Sequence, residues 1–230
     1  MGFDPSKYRT VPIKPLPVVL LLDVSGSMSG EKINKLYDAT IEMINSFAAQ
    51  FQKETVINVA VITFGSDVNL HTPYTSVVDL QKKGITNFSA NGSTPLGIAL
   101  NMAKDMIEDK NTTPSNAYRP AIILVSDGAP DDGWQSPLND FIKNGRSSKC
   151  QRFAVAIGAD ADKKMLEQFT CDIDTVFYAE TAADITNRFE KIIMSISMRS
   201  KSVNPNVVPT APGVFDAPKN SKDNNDDDEF

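Results

Sequence analysis

Short unbroken apolar runs alternate along this chain with stretches in which apolar residues recur every three or four positions. The runs at 18–22, 56–64, 118–125, 153–157 and 175–178 have the length of strands buried on both faces, the signature of a parallel sheet. Residues 68–74 read as a short hairpin or edge segment. Ile33, Leu36, Tyr37, Thr40, Ile41, Ile44 and Phe47 fall on one face of a helix over about 31–50. Further helices are predicted at 134–145, 162–169 and 183–198. Another opens at Gly92-Ser93-Thr94-Pro95, with Thr94 as N-cap and Pro95 at the first helical position, where its missing N–H costs nothing. Strands and helices in alternation, joined by right-handed crossovers, predict an α/β fold: a doubly wound, Rossmann-like, mostly parallel sheet with helices on both faces.

The ends of the chain lack this pattern. Residues 1–17 are rich in proline and basic side chains and read as an extended lead-in, so the domain is expected over 18–199. Residues 200–230 turn to Asn, Pro, Lys and Asp and close on DNNDDDEF, an acidic tail with too little apolar surface to offset its chain entropy. Its Asp226, Asp227, Asp228 and Glu229 read as a solvated charge run, with a pseudo-ligand for the chain's own site as the sharper alternative. With 41% hydrophobic residues in 230, one domain with a substantial core is expected. A net charge of −6 speaks against nucleic acid as a partner, because phosphates need a basic face. No apolar run approaches the ~20 residues of a membrane span, so no membrane partner is expected. The first residues lack the cationic start and apolar core of a secretory signal, and the expected location is cytoplasmic. Cys150 and Cys171 accordingly read as reduced thiols, one or both in the core or a loop.

Chemistry is concentrated where apolar runs break into small-residue loops. Asp23, Ser25 and Ser27 follow the first run in LLLDVSGSMSG, Thr94 lies in NGSTPLG, and Asp127 follows the central run in ILVSDGAPDD. The strand ends deliver Asp23 and Asp127 to the carboxyl edge of one sheet, where open α/β sheets bind ligands. Two carboxylates with two or three hydroxyls, and neither His nor Cys nearby, make an all-oxygen site suited to a hard divalent cation, Mg²⁺ first. Taken singly, each loop is also ordinary turn and helix-cap chemistry, and only their combination points to a metal. Enzyme templates fit poorly. A haloacid-dehalogenase-type phosphatase needs an acidic residue where Ser25 stands, and no dinucleotide or P-loop glycine pattern occurs. The lone histidine, His71, falls on the edge segment and reads as a surface residue.

Asp23-x-Ser25-x-Ser27, Thr94 and Asp127 together resemble the metal-ion-dependent adhesion site (MIDAS) of von Willebrand factor type A domains, and the likeness runs from about 18 to 197. Within that family the loops DVSGSMSGEKI, NGSTPLGIAL, SDGAPDDGW and AIGADADKKMLEQFT resemble stand-alone bacterial proteins of the tellurium-resistance, TerY type. The resemblance implies that Ser25 and Ser27 bind Mg²⁺, or Mn²⁺, directly, Thr94 directly or through water, and Asp23 and Asp127 mainly through water. It implies a non-enzymatic module that captures an Asp or Glu of a protein partner in a stress- or metal-resistance system, alongside a phosphatase or kinase encoded nearby. The alternatives are a scaffold or chaperone-like subunit of an ATPase or phage-defence complex and, behind it, a hydrolase using only the metal and a bound water. Asp131, Asp132 and Trp134 are candidates for a docking rim, but the expectation is that an aspartate caps the following helix while Trp134 packs on its own domain.

Overall fold

The central strand, β1 (Lys14–Asp23), has no exposed residue from Leu16 onward in the computed structural model, which describes residues 14–49, 55–202, 204 and 206. Burial on both faces follows from its position. β1 pairs in parallel with β2 (Thr55–Phe64) on one side and β4 (Ala121–Ser126) on the other. Beyond them lie β3 (Val68–Ser76), β5 (Gln151–Ile157) and β6 (Val176–Ala179), in the order β3-β2-β1-β4-β5-β6. β3 is antiparallel to β2 and forms one edge; every other pairing is parallel. This is the doubly wound order whose strand sequence reverses direction between β1 and β4, and the crevice outside the carboxyl ends at that point is where such sheets take ligands.

Alternate residues of β1 serve two cores. Leu16, Val18, Leu20 and Leu22 join Leu36, Met43 and Phe47 of α1 (Glu31–Ala49), Val77 and Leu80 of α2 (Val77–Lys83), and Phe189, Ile192 and Ile196 of α6 (Asp184–Ser200). Val19 and Leu21 join Leu100 and Ala103 of α3 (Leu96–Glu108), Leu138 and Phe141 of α4 (Gln135–Lys143), and Leu166 and Phe169 of α5 (Lys163–Thr170). Helices thus cover both faces, as the alternation of elements requires. Among the described residues no helix is long and apolar enough to cross a membrane.

Several boundaries depart from the sequence reading. β1 starts at Lys14, four positions before the expected domain start at Val18 and inside the expected lead-in 1–17. Its prolines are tolerated because pairing with β4 begins only at Val18. The Pro15 carbonyl accepts from the Tyr118 amide on that side, so the missing N–H groups of Pro15 and Pro17 face the stretch where no ladder partner exists. β4 starts at Ala121 and not at 118, since Pro120 cannot donate to a ladder. Helix α2 had no counterpart in the sequence reading. Its signal was local: the Ser76 hydroxyl accepts from the Asp79 amide at 3.1 Å, and Gly84, with φ of +72°, ends it. Helix α6 continues through Ser200, past the expected end at 198 and across the expected start of the tail. The remaining tail expectation, including Asp226 to Glu229, lies outside the described residues, as does most of the lead-in.

Candidate metal centre

Three loops meet at the carboxyl edge over β1 and β4. The first continues from β1, and its path is set by backbone bonds: Val24 N–H donates to the Phe64 carbonyl at 2.8 Å and Gly26 N–H to the Gly92 carbonyl at 3.0 Å. The second bond ties the Asp23–Ser27 segment to the loop that carries Thr94. Gly92 is required there, because its φ is +81° and a Cβ would stand 2.4 Å from the Ser66 backbone. The third loop follows β4 and carries Asp127.

Within this cluster Asp23 is wholly buried and both its oxygens are engaged. Oδ1 accepts from the Ser25 amide at 2.8 Å, and Oδ2 accepts from the Ser126 hydroxyl at 2.6 Å. Burial pushes the Asp23 carboxyl above its ordinary range, opposed by the hydrogen bonds from Ser126 and Ser25 and reinforced by the nearby Asp127 charge. Ser27 donates to Asp127 Oδ1 at 2.6 Å, and the Ser25 and Ser27 hydroxyls lie 3.0 Å apart. Asp23, Ser25, Ser27 and Asp127 therefore form one contiguous oxygen cluster drawn from two loops 100 residues apart.

Thr94 reaches the neighbourhood by a different route from the one expected. It is not the N-cap of α3; that position belongs to Pro95, with no side-chain cap of its own. The Thr94 amide donates to Asp131 Oδ1 at 3.1 Å, and its carbonyl accepts from the Asp131 amide at 3.3 Å. The capping function falls to Asp132, whose carboxylate accepts from the Gly97 and Ile98 amides at 3.0 and 3.2 Å. The aspartates after Asp127 thus serve the helix before them in sequence, not the following helix as expected. Trp134 is partly buried against the α3/α4 core, in keeping with the expectation that it packs on its own domain.

Two members of the site escaped the sequence reading. Ser126 looked like the last residue of a strand, and only the pairing of β4 beside β1 brings its hydroxyl onto Asp23. Lys32, in the first turn of α1, places Nζ 2.5 Å from Asp127 Oδ2 and 3.4 Å from the Ser27 carbonyl. Its signal was weak, since a lysine at a helix start is ordinarily a solvated charge. His71 also departs from a simple surface position. It is half-buried, its Nε2 lies 2.8 Å from the Thr86 hydroxyl, and its ring meets Phe88 edge-on at 5.1 Å between centroids.

The family model for the von Willebrand factor type A domain matches residues 18–191. The chain belongs to that family. This type A domain is 27% identical over 180 residues to inter-alpha-trypsin inhibitor heavy chain H4 of Bos taurus, covering 74% of this chain and 19% of that one. The domain therefore spans about a fifth of the length of the curated relative it matches. Among solved structures it is similar to proximal thread matrix protein 1 from the mussel byssus, with a zinc-occupied MIDAS motif (17% identity, TM-score 0.65, 79% of this chain and 48% of that one). It is also similar to manganese-loaded TRAP protein of Plasmodium vivax (18% identity, TM-score 0.57, 78% and 74% covered). At these identities the structural likeness is one of fold.

Proposed function

We propose that this type A domain is a metal-dependent protein-interaction module that captures a partner's Asp or Glu. The supporting observation is the contiguous cluster of Asp23, Ser25, Ser27 and Asp127 at the sheet edge, with Thr94 on the loop tied to it. The donor set suits a hard cation: every group is an oxygen, and a cationic ammonium already lies against Asp127. Ser25, Ser27 and Thr94 would hold Mg²⁺, or Mn²⁺, with Asp23 and Asp127 behind them. Bound there, the ion supplies an electrophilic position that a carboxylate can complete. The chain's own part is to fix the Ser25 backbone through the Asp23 bond to its amide and to hold the Ser27 hydroxyl through Asp127. Nothing in this arrangement calls for a nucleophile or a general base, which favours binding over catalysis.

The narrower setting, a cytoplasmic bacterial protein of a TerY-like resistance system with a phosphatase or kinase nearby, is supported by the loop sequences alone, and gene neighbours test it. The site itself is tested by calorimetric titration of Mg²⁺ and Mn²⁺. One site is expected in the wild type, with binding lost in Asp127→Ala and in the Ser25→Ala, Ser27→Ala double variant while circular dichroism stays native. Unchanged affinity in both variants would sink the assignment. The docking mode is tested separately: a partner that binds equally well in excess EDTA is not held through the ion.

A further inference from the structure

Lys32 and Asp127 are unequal partners. The Asp127 side chain is 0% exposed and held by Ser27, whereas the Lys32 side chain is 35% exposed on a flexible four-carbon stem. The carboxylate is therefore the fixed element and the ammonium the movable one. Nζ also lies near the Ser27 carbonyl, so the charge sits among the loops that carry the oxygen cluster and not out on the helix surface.

We propose that Lys32 is a built-in competitor cation: it neutralises Asp127 when the site holds no divalent ion and weakens the site's affinity for one. This rests on the metal-site reading above. Without a counter-charge, Asp127 would be a buried carboxylate near the buried Asp23, whose burial and mutual repulsion both disfavour the cluster. The ammonium relieves that penalty. A divalent ion entering the cluster then meets a carboxylate already paired, and a positive charge close by that must swing toward solvent or be tolerated. Lys32 thereby tunes the concentration at which the site fills, and it is a positioning and affinity-setting residue, not a ligand.

The test is calorimetric titration of Mg²⁺ into wild type, Lys32→Met, Lys32→Gln and Lys32→Arg, paired with melting curves in EDTA and in excess Mg²⁺. A unit charge beside a divalent ion, even at near-aqueous dielectric, predicts roughly tenfold tighter Mg²⁺ binding in both neutral variants. The charge-conserving Lys32→Arg should stay close to wild type. In EDTA the neutral variants should melt below the wild type, and Mg²⁺ should raise their melting temperature by more than it raises that of the wild type. Equal or weaker Mg²⁺ binding in Lys32→Met and Lys32→Gln would overturn the competition. A wild type that binds no ion at all would overturn the metal-site reading itself, an outcome distinguishable from unchanged affinity in the lysine variants.

Discussion

Asp23 makes both of its strong hydrogen bonds to neighbours that hold it in one orientation, the amide two residues on and the hydroxyl of Ser126 across the β1–β4 boundary. Backbone conformation governs the adjoining loop as tightly. Gly92 and Gly84 both have positive φ, at +81° and +72°, yet their surroundings differ. A Cβ on Gly92 would meet Ser66 backbone atoms at 2.4 Å, whereas one on Gly84 meets nothing within 4 Å. Gly84→Ala should therefore lose only the conformational term, about 1–3 kcal/mol, because φ +72° with ψ 179° is a region essentially reserved for glycine. Gly92→Ala should lose a conformational term for its own positive φ and a further ~1–3 kcal/mol of overpacking against Ser66. Urea denaturation of both variants checks the difference, and equal losses would mean that the loops over the sheet edge shift freely to make room.

At the scale of elements, α3 is the one whose start bears directly on the site. Its first amides are satisfied by a side chain 34 and 35 residues away in sequence, that of Asp132, and Thr94 is held by Asp131. The loop after β4 is therefore strapped to the start of α3 by two adjacent carboxylates. Removing the Asp132 carboxylate leaves helix-terminal donors without a partner. Asp132→Ala is expected to cost about 0.5–2 kcal/mol, with Asp132→Asn costing less because an amide oxygen still accepts. Hydrogen exchange provides the local reading: the Gly97 and Ile98 amides should exchange faster in Asp132→Ala than in the wild type. Unchanged protection at both positions would show that the strap does not hold the helix start.

For the whole molecule, the two cores close between Leu16 and Ile196. Beyond them α6 is pinned at its end by Arg199, which is fully buried and donates to Gln151 Oε1 at 2.6 Å and to the Arg119 carbonyl. The last described contact toward the C-terminus is from the Arg119 amide to Asn206 Oδ1 at 2.7 Å. Arg199→Ala leaves the buried Gln151 oxygen and the Arg119 carbonyl without that donor and should cost about 1–3 kcal/mol, read by urea denaturation. An unchanged midpoint would show that the end of α6 is not pinned through this side chain.

How much of this was legible in advance follows from the range of each interaction. Buried strands declare themselves as apolar runs, and helices as a 3.6-residue period, because burial acts on each residue through its own element. The alternation of the two then limits the topology to a doubly wound sheet. That Asp23, Ser25, Ser27 and Asp127 gather at one sheet edge was readable because loops at strand ends need no packed neighbours to show their chemistry. The tertiary structure alone decided what depends on distant segments meeting. Pairing of β1 with β4 brings Ser126 onto Asp23, over 103 positions, and Lys32 onto Asp127, over 95. On the β4 side that pairing begins only at Val18, so Pro15 and Pro17 leave no β4 ladder partner unmet, and the strand extends through them against β2. Thr94 is not the cap of α3, and the Gly97 and Ile98 amides are met instead by Asp132, a contact no local pattern encodes. Charge pairing and capping across loops are set by register and crossover, and these exist only once the sheet has formed.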